Sequence, residues 1–185
     1  MKRSLLGDAF SAWVGLLALI TCLGPGVRAS DDMEKLQREV PQAIQAFEKD
    51  DSTLKELFAN SAGYAIFPRV SKGGLVFGGA HGVGLVYEKG ALIGRAELSQ
   101  ATFGAQIGGQ AFREVIFFET PAALDRFKES KFEMSAQVGA VAAAEGAGKN
   151  AKYHESVLVF TKVLSGLMAE ASIGGQKFKF TPVKP

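Results

Sequence analysis

The stretch GGLVFGGAHGVGLVY, Gly73 to Tyr87, constrains this chain more than any other. It holds six glycines in fifteen residues, and they are not scattered at random. Positions 78, 80, 82 and 84 are Gly, Ala, Gly and Gly, whereas 75, 77, 83, 85 and 87 are Leu, Phe, Val, Leu and Tyr. Side chains alternate faces along a strand, so this parity describes a strand with one apolar face and one nearly bare face. Bare faces occur where another backbone packs closely or where a sheet bends hard. A phosphate-cradling loop is excluded by order and identity. No G-x-x-x-x-G-K-[ST] occurs, and no complete G-x-G-x-x-G follows a strand and opens a helix. The nearest imitation, Gly146-Ala147-Gly148-Lys149-Asn150-Ala151, lacks Ser or Thr after the lysine and runs into the β-rich Val157–Phe160.

The neighbouring segments continue this style. Tyr64–Phe67 reads as a short strand ended by Pro68. Thr102, Gly104, Gln106, Gly108 and Gln110 share one face, with Phe103, Ala105, Ile107 and Ala111 on the other, and Val115–Phe118 is a short buried run. Strands are expected at 155–163 and 167–173, and Gly174-Gly175 is a hairpin signal before a last strand at 176–180. Residues 134–145 are ambiguous, their alanines suiting a helix and Gly139 with its valines a strand. Helices frame these strands. Leu36, Val40, Ala43, Ile44 and Phe47 form one apolar stripe, interrupted by Pro41, which predicts a kink or a restart. Thr53 and Glu56 have capping-box spacing, and Thr120-Pro121 opens a helix whose inner face is Leu124 and Phe127. The expected class is α+β: a curled, glycine-rich antiparallel sheet, a partial barrel, covered by the N-terminal and central helices.

Residues 1–29 read as a signal peptide. Lys2 and Arg3 precede an apolar run from Ala9 to Leu23, and Val27-Arg28-Ala29 offers a cleavage pattern before Ser30. A second route is lipoprotein processing at Cys22, after Leu19-Ile20-Thr21, although Thr stands where a smaller residue is usual. Either route predicts export to the periplasm. Without Lys2, Arg3, Arg28 and Asp8 the remaining 156 residues carry 18 basic and 18 acidic side chains, and they form one domain, 30–185. That balance argues against nucleic acid as a partner.

Chemistry is hard to place. The chain has two histidines, His81 in the glycine-rich strand and His154 beside a turn, and its single cysteine is Cys22. No second ligand stands at zinc spacing, no nucleophile elbow frames a serine, and Glu88 and Glu97 only bracket a hairpin. The sequence therefore predicts no enzyme, no catalytic residue, no metal and no cofactor.

One resemblance is carried by an ordered set of motifs. Ala62-Gly63-Tyr64-Ala65-Ile66-Phe67-Pro68, then Lys72-Gly73-Gly74, then Gly78-Gly79-x-x-Gly82-x-Gly84, resembles the first signature of the SYLF domain family. Phe103–Gly109 followed by Val115–Phe118 is similar to its second, and Gly166-Leu167, Ala169 and Gly174 echo its closing one. The likeness covers about residues 33–180. It departs from the family around Arg95–Gln100, at Glu170 and at Ala144-Glu145-Gly146.

The resemblance implies that residues 134–145 are strand, and it implies lipid binding, since eukaryotic relatives bind phosphoinositides and some fungal ones bind actin. For an exported bacterial member the transferable property is affinity for anionic phospholipid headgroups. The alternatives are a protein–protein module of the envelope, with an envelope protein as partner, and a carrier of a small apolar ligand. The basic residues proposed for headgroup contact are Arg69, Lys72, Lys177 and Lys179. The last two alternate with Phe178 and Phe180, as an edge strand guarded by lysines also would.

Overall fold

The computed structural model describes residues 25–130, 133–134, 141–142 and 145–183. In chain order the elements are α1 (Pro25–Asp50), α2 (Leu54–Asn60), β1 (Gly63–Gly74), β2 (Phe77–Glu88), β3 (Ala91–Phe118), α3 (Pro121–Lys128), β4 (Glu133–Met134), β5 (Val141–Ala142), α4 (Ala147–Asn150) and β6 (Val157–Pro182).

The bare-faced strand is one arm of a hairpin: β1 and β2 pair antiparallel around a turn at Leu75-Val76. β3 is 28 residues long and holds this hairpin between its two halves. Its first half pairs with β2, from Glu88↔Ala91 to Phe77↔Phe103, and its second half pairs with β1, from Gly74↔Gly108 to Gly63↔Phe118. Residues 104–107 therefore pass around the hairpin turn. β6 follows β3 antiparallel along nearly its whole length, from Gly94↔Pro182 to Phe118↔Val157. β4 adds antiparallel and β5 parallel to β6. The α+β class with a curled sheet is what the parity predicted; the sheet folds over on itself without closing into a barrel.

Glycine permits the curl. A Cβ at Gly84 would lie 2.2 Å from the Ile66 carbonyl oxygen and 2.8 Å from Phe67 Cδ1. Contacts across the curl join strands that are not neighbours: the Phe67 ring on β1 lies 5.8 Å from Phe178 on β6. That inner core includes Ala65, Val86, Leu98, Ile116 and Phe118, and α3 closes it with Ala123, Leu124 and Phe127. The outer core lies between the sheet and the first two helices, where Leu36, Val40, Phe47 and Leu54 meet Tyr64, Ile66, Leu85, Val115 and Phe117. Lys162 on β6 ties the end of α1 through Asp50, Nζ to Oδ2 2.5 Å.

Five local expectations are corrected. Pro68 does not end β1. It falls in a bulge, where Ile66↔Leu85 is followed by Arg69↔Val83, so its missing N–H costs no ladder bond. Gly174-Gly175 makes no turn, because the flanking runs pair with β3 and not with each other; these glycines sit opposite Thr102 and Ala101. Likewise the separate strands at 155–163 and 167–173 are parts of β6. Pro41 neither stops nor restarts α1, whose buried stripe on either side holds the helix through it. Thr53 does not cap α2: its own backbone is helical, and its hydroxyl donates to Asp51 Oδ1 at 2.6 Å.

The expected start of α3 holds. Thr120 caps α3, its Oγ1 accepting from Ala123 N at 3.3 Å, with Pro121 in the first turn. Of the strand expected at 134–145, Glu133–Met134 and Val141–Ala142 are strand, and the remainder lies outside the described residues. The proposed cleavage pattern Val27-Arg28-Ala29 lies in the first turns of α1, while the rest of the proposed signal peptide, Cys22 included, lies outside the described residues.

Candidate functional site

The loop that imitated a phosphate site already holds an anion, and it is the protein's own. Asp51 is buried, and its Oδ2 accepts the Gly148 N–H at 2.6 Å while Oδ1 accepts the Thr53 N–H at 3.0 Å. Burial alone would raise the carboxyl, but the bonds from Thr53 and Gly148 outweigh it and hold it below the usual carboxylate range. The glycine is required by space, since a Cβ at Gly148 would stand 2.6 Å from Thr53 Oγ1. This arrangement joins α4 to the α1–α2 junction.

The sheet brings three of the four proposed basic residues onto one face. Arg69 is opposite Val83, Val83 opposite Glu97, and Glu97 opposite Lys179. The next row reads Ser71, His81, Ser99, Lys177. Arg69, Lys177 and Lys179 are all exposed. Lys72 is not with them: it is half-buried and faces the other way, in register with Ala80 and Gln110. The basic face is not purely basic. Glu97 lies within it, accepting from Arg95 Nη1 at 2.5 Å. That hydrogen bond holds the Glu97 carboxyl below its ordinary value against the opposing effect of burial, and the Arg95 and Lys179 charges add to it. Beside these rows, α1 and the sheet enclose a groove of about 300 Å³ lined by Lys35, Glu39, Arg69, His81 and Arg95 among others.

His81 is exposed in the second row between Ser71 and Ser99. Among the described residues, no group of three or more His, Cys, Asp or Glu side chains is placed to hold a metal ion. No described helix is long and apolar enough to cross a membrane.

Sequence reasoning missed the most unusual surface. At the hairpin turn Leu75 is 64 %, Val76 57 % and Phe77 75 % exposed, and beside them Phe103 is 61 % and Ile107 64 % exposed. The Phe77 and Phe103 rings lie 5.1 Å apart with their planes tilted by 50°, and neither ring belongs to the inner or the outer core. Parity correctly placed Leu75 and Phe77 on an apolar face and wrongly implied that the face is covered. A length argument would have found the gap. The stripe from Leu36 to Phe47 spans about 17 Å of helix, against about 40 Å for the twelve-residue strands it must cover.

A polar pair lies between the two halves of the sheet. Glu114 lies wholly inside the curl and accepts from Gln176 Nε2 at 3.0 Å. Burial pushes its carboxyl up to about 7, with the Gln176 bond acting in the opposite direction.

Comparison with known proteins now places the chain. Residues 99–181, from the middle of β3 to the end of β6, match the Ysc84 family model, described as "Las17-binding protein actin regulator". A 136-residue alignment at 32 % identity joins the chain to Beta cell expansion factor A of Aeromonas veronii. Residues 99–181 are thus identified as a SYLF (Ysc84) domain. The alignment takes in 73 % of this chain and 51 % of the relative, so the chain spans about half the length of the curated protein it matches. The family is one of binding domains and not of known enzymes. Within this SYLF domain the matched region contains Phe103, Ile107, Lys177 and Lys179.

Proposed function

We propose that this SYLF domain is a non-enzymatic lipid-binding module of the bacterial cell envelope, exported to the periplasm, that recognises anionic phospholipid headgroups. The observation that carries the reading is the gathering of Arg69, Lys177 and Lys179, which are far apart in sequence, on adjacent exposed rows of one sheet face. Family membership supports a binding role, for lipid or for a protein partner. At about 1 kcal/mol per basic residue near an anionic surface, three such residues contribute about 3 kcal/mol. The interaction is therefore expected to be salt-sensitive, and charge alone would leave it weak.

The test is co-sedimentation with phosphatidylglycerol-containing and pure phosphatidylcholine vesicles across a salt series. Replacing Arg69, Lys177 and Lys179 together with Gln is expected to weaken binding to the anionic vesicles at least tenfold and to flatten the salt slope, with the melting temperature unchanged. Lys149→Gln, at an exposed position of α4 away from both rows and from the hairpin turn, serves as the comparison. Equal sedimentation with both vesicle types would remove headgroup charge from the reading. No sedimentation with either would favour an envelope protein as the partner.

A further inference from the structure

The uncovered end of the sheet has a composition that selects its occupant. From Arg69 to Tyr87 the hairpin contains Arg69, Lys72 and His81 and no acid; from Leu98 to Arg113, β3 contains Arg113 and no acid. Five large apolar side chains crowd the turn ahead of these bases. On β6, Lys177 lies opposite Ser99, while Glu170 lies in register with Gln106.

We propose that Leu75, Val76, Phe77, Phe103 and Ile107 enter the hydrocarbon layer of an anionic membrane, so that the domain stands on the bilayer turn-first with α1 and α2 directed away. This rests on the lipid-binding reading and adds to it the depth and orientation of the contact. Three features support it. First, the apolar group is contiguous and exposed, the turn of one hairpin lying inside the bend of β3 with the Phe77 and Phe103 rings 5.1 Å apart. Second, its backbone is already paired: β1, β2, β3 and β6 remain in ladder register around the turn, and Leu75 N–H donates to Phe77 O at 3.2 Å. Insertion therefore carries few unpaired backbone groups into lipid. Third, the charges are spaced for the headgroups. Lys72 lies three residues behind Leu75, about 10 Å along the strand, and Lys177, opposite Ser99, is four residues behind Phe103, about 13 Å. A turn buried about 5–10 Å brings these bases to the phosphate level. A second copy of the chain is the less fitting occupant, because two such ends would bring their basic collars together.

The experiment uses a site-specific indole. The chain's single tryptophan, Trp13, lies in the proposed signal peptide, so the exported form, residues 30–185, has no indole background. Phe77→Trp then reports on the turn, and Ala59→Trp, on an exposed position of α2, reports on the opposite end. With vesicles of phosphatidylglycerol and phosphatidylcholine brominated along the acyl chains, the indole at 77 is expected to shift to the blue and be quenched at least twofold, with the indole at 59 unaffected. Phe77→Ser with Phe103→Ser is expected to reduce binding about ten- to a hundredfold, since partial burial of one such side chain carries about that factor. Sedimentation with anionic vesicles but no quenching at 77, or quenching at 59 instead, overturns the orientation and leaves lipid binding standing. Absence of sedimentation overturns both. A concentration-dependent dimer in lipid-free solution that the double serine variant abolishes overturns the insertion and assigns this end to self-association.

Discussion

Where β1 begins and β3 finishes, Tyr64, Ile66, Val115 and Phe117 lie beneath α1 and α2, each 8 % exposed or less. At the other end of the same sheet, around the β1–β2 turn and the bend of β3, Leu75, Phe77, Phe103 and Ile107 are 61 % exposed or more. The residue types are alike, and the local backbone pairing is alike. What differs is the presence of a covering helix, and that difference separates apolar residues that stabilise the fold from apolar residues available to a partner. A hydrophobic face is thus not a core until something is packed on it.

The largest expected effect tests this separation directly. Phe47→Ala on α1 removes a fully buried ring from the outer core and should cost about 3–5 kcal/mol. Phe77→Ala, at the bare end, should change stability by about 1 kcal/mol or less. Chemical denaturation of the two variants measures both, and equal losses would mean that the bare end is structurally integral after all.

The next effect lies where the two ends meet. Glu114 sits in register with Phe67 and Thr161, yet its side chain reaches Gln176, opposite Gln100 in the distal ladder. Its carboxyl is raised from an ordinary 4.5 to about 7 by burial. A raised carboxyl favours the protonated folded state, so its contribution is full below about pH 4.5 and is lost as pH rises through about 7. The loss approaches about 3 kcal/mol by pH 8. Glu114→Gln should flatten the dependence of the denaturation midpoint on pH over that window. An unaltered slope would assign the dependence to another group.

The smallest effect sharpens the comparison through glycine. Gly84→Ala near the covered end forces a Cβ to 2.2 Å from the Ile66 carbonyl oxygen and should cost about 1–3 kcal/mol. Gly73→Ala near the turn meets nothing closer than 3.5 Å and should be neutral to within about 0.5 kcal/mol. Thermal melts of the pair would break the comparison if both were tolerated equally.

Much of this fold was legible because glycine and apolar parity are local signals. The alternation from Gly78 to Tyr87 announced a bare inner face, and Thr120-Pro121 announced α3. Pro68 and Gly174-Gly175 were misread as punctuation because their meaning depends on the partner strand. Opposite a strand as long as β3, a proline can occupy a bulge and a pair of glycines can continue a ladder. The basic residues were legible only in part. Lys177 and Lys179 share a face by simple alternation, but Lys72 was grouped with Arg69 from loop proximity, and strand parity after the bulge sends it to the opposite side.

By itself, the order of residues determined the strand-rich α+β class, the bare and apolar faces, the helical stripes and the absence of nucleotide motifs. These are set by interactions within a few residues, where side-chain size and backbone freedom act directly. Only the tertiary structure decided that β3 wraps around the β1–β2 turn, that Arg69 lies on the same exposed face as Lys177 and Lys179, and that Leu75, Phe77, Phe103 and Ile107 are left uncovered. Those outcomes depend on which strands pair across long loops and on how far α1 reaches along the sheet, and neither quantity is encoded in any single short stretch of sequence.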